Sequence, residues 1–215
     1  MKIIAFSLWG NDPKYTIGAI RNAEIAYELF SGWNNGGWKC RFYCGEDVED
    51  EVKNELIRLD SEIVEMGGTG WNGMFWRFFA ADGDDTMISR DTDSRLGLRE
   101  RAAINEWIDS DKDFHIMRDH PYHATEILGG MWGAKNGILK GVKQMIQDYE
   151  TGDFDQKYQV DQNFLREVAY PMVKDSAMVH DEFFEKKPFP RDAPKRTASD
   201  FVGQVYNQFD EPEFT

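Results

Sequence analysis

The chain has 215 residues, of which 41% are hydrophobic and 14% aromatic, enough for the buried core of a single α/β domain. Its formal net charge of −14 excludes bulk affinity for nucleic acid or for an anionic membrane surface. Cys40 and Cys44 are too few for a disulfide framework or a structural zinc site, so we interpret them as reduced core thiols of a cytoplasmic protein.

The first third of the sequence alternates apolar strands with amphipathic helices. Strands are predicted at 2–9, 38–43 and 61–66, and helices at 15–30 and 46–59. The first apolar run is too short for a signal peptide or a membrane span. Domains of the α/β nucleotide-binding class begin with a buried strand, a glycine turn and a helix, in this order. The absence of a GxGxxG or P-loop motif argues against a Rossmann dinucleotide site and a Walker NTPase.

Two features precede the central motif. The glycine-rich stretch 67–73 is either a mobile lid or a plain connecting loop. A strongly aromatic helix is predicted over 74–82, and it carries Arg77. An arginine among aromatic residues usually snorkels or pairs with a carboxylate, and this helix ends just before the next strand. Arg77 is therefore placed to reach whatever follows that strand.

The central motif is a pair of aspartates at the end of a short apolar strand. Met87 and Ile88 predict the buried strand, and Asp91 and Asp93 follow it. Residues i and i+2 of an extended chain point the same way, so the two carboxylates can face one point. A divalent cation would compensate their charge, and its spare positions would take phosphate oxygens. Arg90 could serve the same phosphates. A solvated acidic turn is the other interpretation of this pattern.

The second half of the chain contributes further polar and glycine-rich segments. Helices are predicted over 99–110 and 138–149, and a strand at 113–117. The loop 118–123 contains arginine, aspartate and two histidines, a composition typical of a binding site. The glycines at 129–130 precede an apolar strand and permit close approach of a ligand to the backbone.

One more helix is predicted to begin at Val160-Asp161-Gln162. Asp161 is a plausible N-cap, a role that alone would explain an aspartate there.

In this order, the segments resemble GT-A glycosyltransferases. The resemblance rests on a helix bearing Arg77, a strand ending in Asp91-Thr92-Asp93, then Gly129-Gly130, Asp161-Gln162 and a late His180. The order is closest to the glycogenin and bacterial galactosyltransferase type, and the chain as a whole looks like the short glycosyltransferases of large viruses and phages. It implies a mixed, mainly parallel central sheet flanked by helices.

The resemblance also implies a division of the chain and a substrate pair. The donor-binding part would be about 1–96, the acceptor part about 97–185, and an extended C-terminal segment 186–215, all within one domain. The donor would be a nucleotide-diphosphate sugar, expected to be a uridine one, and the acceptor a glycan or other hydroxyl compound. The protein would act in the cytoplasm, that of the host if it is viral.

Specific residues take roles under this resemblance. Asp91 and Asp93 would hold Mn²⁺ or Mg²⁺, with His180 completing the metal shell. Residues expected to meet the donor are Leu8, Trp9, Gly10, Arg77, Arg90 and Asp91. Residues expected to face the sugar and acceptor are His120, Gly130, Met131, Trp132 and Gln162. Asp161, with Asp119 behind it, would supply the carboxylate near the anomeric carbon or the acceptor hydroxyl.

The sequence departs from the family at one point and leaves alternatives open. The His-x-x-Gly-x-x-Lys-Pro-Trp ending of the glycogenin type is absent after His180. The order of the motifs leans towards a retaining enzyme without deciding it. A haloacid-dehalogenase-like phosphatase also places Asp-x-Asp after an apolar strand, although normally on the first strand. A sugar-binding module without catalysis would account for the aromatic excess.

Overall fold

The computed structural model describes residues 1–30, 37–68, 71–149 and 159–213. The loop expected at 32–37 lies almost wholly outside these ranges, as does most of the loop predicted at 151–159. The interpretation of 67–73 as a lid also cannot be followed, because residues 69 and 70 lie outside the described ranges.

Seven strands form the centre of the molecule. They are β1 (Lys2–Leu8), β2 (Trp38–Cys44), β3 (Glu62–Glu65), β4 (Thr86–Arg90), β5 (Phe114–Arg118), β6 (Trp132–Ala134) and β7 (Ala177–Asp181). Their order across the sheet is β3-β2-β1-β4-β6-β5-β7. Only β6 runs antiparallel to its neighbours β4 and β5 among these pairings. The predicted α/β class with a mixed, mainly parallel sheet is confirmed.

Helices cover both faces of this sheet. They are α1 (Pro13–Leu29), α2 (Asp50–Arg58), α3 (Leu98–Ile108), α4 (Val142–Asp148), α5 (Val160–Phe164) and α6 (Tyr170–Val173), together with a long 3-10 helix at Trp71–Asp82. A π-helical turn, Leu165–Ala169, joins α5 to α6. No helix within the described ranges is both long and apolar enough to cross a bilayer.

The predicted elements are present, with shifted ends. α1 begins two residues early, at Pro13, because the Asp12 side chain caps its first turn by accepting from the Lys14 amide at 2.9 Å. α4 begins only at Val142, because Gly141 before it has a φ of +88°. The aromatic helix predicted at 74–82 is a 3-10 helix. β7 was not predicted, since Met178 and Val179 alone gave too short an apolar run.

The alternation of β4 separates two groups of side chains. Met87 and Ser89 lie on the face that the 3-10 helix covers, whereas Ile88 and Arg90 lie on the face that α1 and α3 cover. Because β1 and β4 are parallel and in register from Lys2↔Thr86 onward, their carboxyl ends meet at one edge of the sheet. Ligands of open α/β sheets bind at such an edge, where the strand order reverses.

Candidate active site

Arg77 is the centre of a charged cluster at this edge. Its Nη1 lies 3.0 Å from Oδ1 of Asp91, and its Nη2 lies 3.1 Å from Oδ2 of Asp161. Its Nε donates to the Gly129 carbonyl at 3.3 Å. The residue is 6% exposed. One guanidinium fork thus joins three segments of the sequence, which is the geometry that arginine supplies and lysine does not.

The backbone around Arg77 is fixed as firmly as its side chain. The Arg77 amide donates to Ser7 Oγ at 2.9 Å, which ties the 3-10 helix to the end of β1. The Gly129 carbonyl also accepts from Ser89 Oγ at 2.8 Å and from Trp132 Nε1 at 3.1 Å. These bonds hold the glycine pair against β4 and position the cluster before any ligand binds.

The glycine pair is required by the closeness of the charged side chains. A Cβ built on Gly130 would lie 1.9 Å from Asp91 Oδ2. A Cβ built on Gly129 would lie 2.6 Å from both Arg77 Nη2 and Asp161 Oδ2. Neither contact is possible for a real side chain, so Gly129 and Gly130 exist here to let the backbone approach the carboxylates.

The surroundings of Asp93 disfavour its ionised form. Burial, and next the charge of Asp91, raise the pKa of Asp93 to about 6, although the Lys14 ammonium works in the opposite direction. Lys14 Nζ lies 3.8 Å from Asp93 Oδ2 and 2.7 Å from Glu213 Oε2. The amide of Tyr206 donates to the Asp93 carbonyl at 2.8 Å. The turn at Asp93 therefore holds more negative charge than Lys14 alone can balance.

Asp161 lies in the first turn of α5 and is 5% exposed. Burial raises its pKa and the Arg77 guanidinium lowers it, with burial the larger effect. Its Oδ1 accepts from the amide of Gln162 at 2.9 Å. Because both oxygens are held, the carboxylate has one orientation.

Asp91 and Asp93 offer oxygen donors of the kind that hard cations bind. Asp91 and Asp93 are carboxylates, and Mg²⁺ and Mn²⁺ are commonly bound through one or two carboxylates plus substrate phosphates. Among the described residues no group of three or more His, Cys, Asp or Glu could hold a metal by itself. With Asp91 Oδ1 already paired to Arg77, the carboxylates alone should bind the metal weakly.

His180 is not part of this cluster, which corrects its expected place in the metal shell. Its Nδ1 lies 2.8 Å from His115 Nε2, and its Nε2 lies 2.8 Å from Glu106 Oε2. His115 stacks on Trp107 of α3, so the pair lies on the α3 face of the sheet. On β7, His180 points to the face opposite the one that carries Met87 and Ser89.

Arg90 and Asp119 also have other partners than expected. Arg90 is 3% exposed and pairs through Nε with Glu100 of α3, so it faces away from Asp91 and is not free to bind a donor. Asp119 is 0% exposed, and its carboxylate is held by Arg99 at 2.8 and 2.9 Å and by the Val202 amide at 3.0 Å. Asp119 is thus bound to Arg99 and the C-terminal segment and not to the Arg77 cluster, so its expected place behind Asp161 is corrected.

Three apolar side chains expected at the ligand belong to the core. Leu8, Met131 and Trp132 are at most 4% exposed. Trp132 stacks on Phe114 with ring centroids 5.4 Å apart. Neither ring face of Trp132 is free for a sugar, and Leu8 can offer a ligand only its backbone.

The remaining expected residues lie in partly exposed positions. Trp9 packs edge-on against Trp76 at 6.3 Å, and Gly10 follows it with a φ of +71°. The side chain of Gln162 is partly exposed beside Asp161. His120 stacks on Phe201 at 4.5 Å, a contact with the C-terminal segment. Their roles in ligand binding stay predictions.

Sequence reasoning missed Lys14 and Glu213. Lys14 lies in the first turn of α1, just after the first strand, and its charge at that position was a usable signal. No local pattern pointed to Glu213, which lies 199 positions from its partner Lys14.

Comparison with known proteins gives a likeness of fold only. No protein-family model matches the chain, and no curated protein matches it. The chain is similar to the crystal structure of a mycobacterial protein, at 12% identity over 65% of this chain and 54% of that one, with a TM-score of 0.43.

Two further solved structures are synthases of one kind. The chain is similar to 4-diphosphocytidyl-2C-methyl-D-erythritol synthase from Anaerococcus prevotii DSM 20548, at 12% identity over 88% of this chain and 92% of that one, with a TM-score of 0.49. A second structure of a synthase of that name gives 11% identity, the same coverage and a TM-score of 0.42. At these values, function has to be inferred from the residues of the site itself.

Proposed function

We propose that this protein is a metal-dependent glycosyltransferase that moves a sugar from a nucleotide-diphosphate sugar, with uridine as the expected base, to a hydroxyl group of a glycan or similar acceptor. The observation that carries the proposal is the single guanidinium of Arg77 joining Asp91 to Asp161 at the edge of the sheet. It links Asp91, one of the two carboxylates that would hold a metal, to the separately buried carboxylate of Asp161.

The Asp91–Asp93 pair suits the departure of the nucleotide diphosphate, and Asp161 suits the transfer of the sugar to the acceptor. Transfer passes through an oxocarbenium-like state while the nucleotide diphosphate departs. Asp91 and Asp93 would hold Mn²⁺ or Mg²⁺, which when bound offsets the charge that develops on the departing diphosphate. Lys14, whose Nζ lies 3.8 Å from Asp93 Oδ2, would exchange its ion pair with Glu213 for a phosphate oxygen.

Asp161 would act at the sugar. Its fixed orientation, and a pKa raised by burial, suit a carboxylate that stabilises the anomeric carbon or takes the acceptor proton. Arg77 would be a positioning residue, because both of its Nη atoms are committed to carboxylates. Gly129 and Gly130 let the carboxylates of Asp161 and Asp91 lie against the backbone beside Arg77.

The test is calorimetric titration of UDP with and without Mn²⁺, in the wild type and in Asp93→Asn. We expect binding that needs Mn²⁺ and that weakens by at least about tenfold in the variant, because one of two metal carboxylates is lost. Asp60→Asn is the matched control, since Asp60 is an exposed surface aspartate whose positive φ of 58° asparagine also tolerates. If neither UDP nor GDP binds with metal, the glycosyltransferase proposal is wrong and a phosphatase becomes the better interpretation.

A further inference from the structure

A cleft of about 280 Å³ lies between the start of α3 and the C-terminal segment. One wall comes from residues 95–100, the other from residues 194–206. The cleft begins directly beside the acidic turn, because Ser94 forms an antiparallel bridge with Val205 and the Tyr206 amide donates to the Asp93 carbonyl. Its volume lies just under the roughly 300–1,000 Å³ of drug-sized ligand pockets, so it suits a ligand of about one ring.

The walls of this cleft offer apolar surface to a ligand. Leu98 is 52% exposed, although it is a large apolar residue. The rings of Phe201 and Tyr206 line the same space and are partly exposed. Rings and aliphatic groups of this kind pack against the C–H face of a sugar ring.

The charged groups of the cleft favour a neutral ligand. Arg95 is paired with Asp210 and Arg99 with Asp119, so neither guanidinium is free to bind an anion. Lys195 and Asp200 also line the cleft, and within the described residues neither side chain has an ion pair or hydrogen-bond partner. One ammonium and one carboxylate leave no net charge, and both can hydrogen-bond to hydroxyl groups.

We propose that this cleft is the subsite for a neutral hexose or N-acetylhexosamine unit of the acceptor. The inference rests on the proposed function, since it names the class of compound that receives the sugar. The apolar wall would take one face of the pyranose ring, and Lys195 and Asp200 would take its hydroxyl groups. The contacts that join Ser94 to Val205 and Asp93 to Tyr206 put this unit next to the donor.

The test follows the aromatic ring signals of the full chain by ¹³C–¹H NMR during titration with methyl glycosides. The probes are those of glucose, galactose, mannose and N-acetylglucosamine, each with and without UDP and Mn²⁺. We expect at least one glycoside to shift the ring signals of Phe201 and Tyr206. Leu98→Arg, which fills the cleft, should weaken that binding by about tenfold or more.

The matched control is Ile57→Arg, because Ile57 is 56% exposed on α2, a different helix. It should leave glycoside binding unchanged. The inference is overturned if no glycoside shifts the Phe201 and Tyr206 signals, or if Leu98→Arg binds as tightly as the wild type. UDP titration separates the two proposals: metal-dependent UDP binding without glycoside shifts defeats the cleft alone. Glycoside binding without any nucleotide binding defeats the transferase alone.

Discussion

Arg77 and Asp161 form a buried ion pair at 3.1 Å although they are 84 positions apart in the sequence. Arg77→Met would leave Asp161 buried without a cation, and it would leave Asp91 without its partner. Removing one member of a buried pair typically costs about 3–5 kcal/mol in the free energy of unfolding, which urea denaturation would measure.

Arg77→Lys is the informative companion to this change. It keeps the charge but cannot reach Asp91, Asp161 and the Gly129 carbonyl with one fork. We expect Arg77→Lys to recover part of the lost stability while UDP affinity stays low. Wild-type UDP affinity in Arg77→Lys would contradict the positioning role.

Gly130 is predicted to be intolerant of any side chain. Because a Cβ there would lie 1.9 Å from Asp91 Oδ2, Gly130→Ala should displace the Asp91 carboxylate and abolish metal-dependent UDP binding. The matched control is Gly83→Ala, since a Cβ on Gly83 meets nothing within 4 Å. Calorimetry on both variants checks the prediction, and equal binding by the two would refute it.

His180 should be dispensable for metal binding. Because it bonds to His115 and Glu106 on the α3 face, His180→Asn should leave UDP affinity with Mn²⁺ within about twofold of the wild type. The same variant should lower the melting temperature, since it breaks a buried hydrogen-bonded chain. A loss of UDP affinity as large as that of Asp93→Asn would return His180 to the metal shell.

Acid should weaken the fold through His115. Burial, and then the neighbouring His180, hold the pKa of His115 well below its usual value, and its Nδ1 has no hydrogen-bond partner among the residues that the structure describes. Below about pH 6.5, His115 is therefore protonated in the unfolded chain but stays neutral in the folded chain. Because the unfolded state binds more protons, the free energy of unfolding falls as the pH falls. The loss from this one group reaches up to about 2 kcal/mol at pH 5.

His115→Phe isolates this effect. Phenylalanine can keep the packing on Trp107, but its side chain does not titrate. The unfolding free energy of the wild type minus that of His115→Phe should therefore decrease from pH 7 to pH 5. Comparing the two proteins at each pH cancels the opposite contribution of Asp93, whose raised pKa stabilises the fold as the pH falls through about 6. A constant difference would refute the assignment.

The fold could be predicted from sequence because local signals agreed with one another. Apolar runs and glycine turns marked β1, β2 and β4, and the Asp-x-Asp motif after β4 identified the edge that holds the cluster. The pairing of Arg77 with a carboxylate was also predictable, because a buried guanidinium among aromatic residues needs one.

What could not be predicted was which face each polar residue takes in three dimensions. Arg90 lies one position before Asp91, and in a strand that single step turns it to the opposite face, where Glu100 neutralises it. His180 was expected in the metal shell only because it follows the other motifs in the order that the family shows. The strand β7, which turns it towards α3, gave too short an apolar signal to be recognised.

The bond between Lys14 and Glu213 has a consequence for the newly made chain. These residues are separated by 199 positions, so at about 5–20 residues per second their synthesis is about 10–40 s apart. From the synthesis of Asp93 until that of Tyr206 and Glu213, the nascent chain carries Asp93 without the Tyr206 amide or the Glu213 carboxylate beside it. The surroundings of Asp93 are therefore completed only after residue 213 has been made, so these contacts cannot guide the early steps of folding.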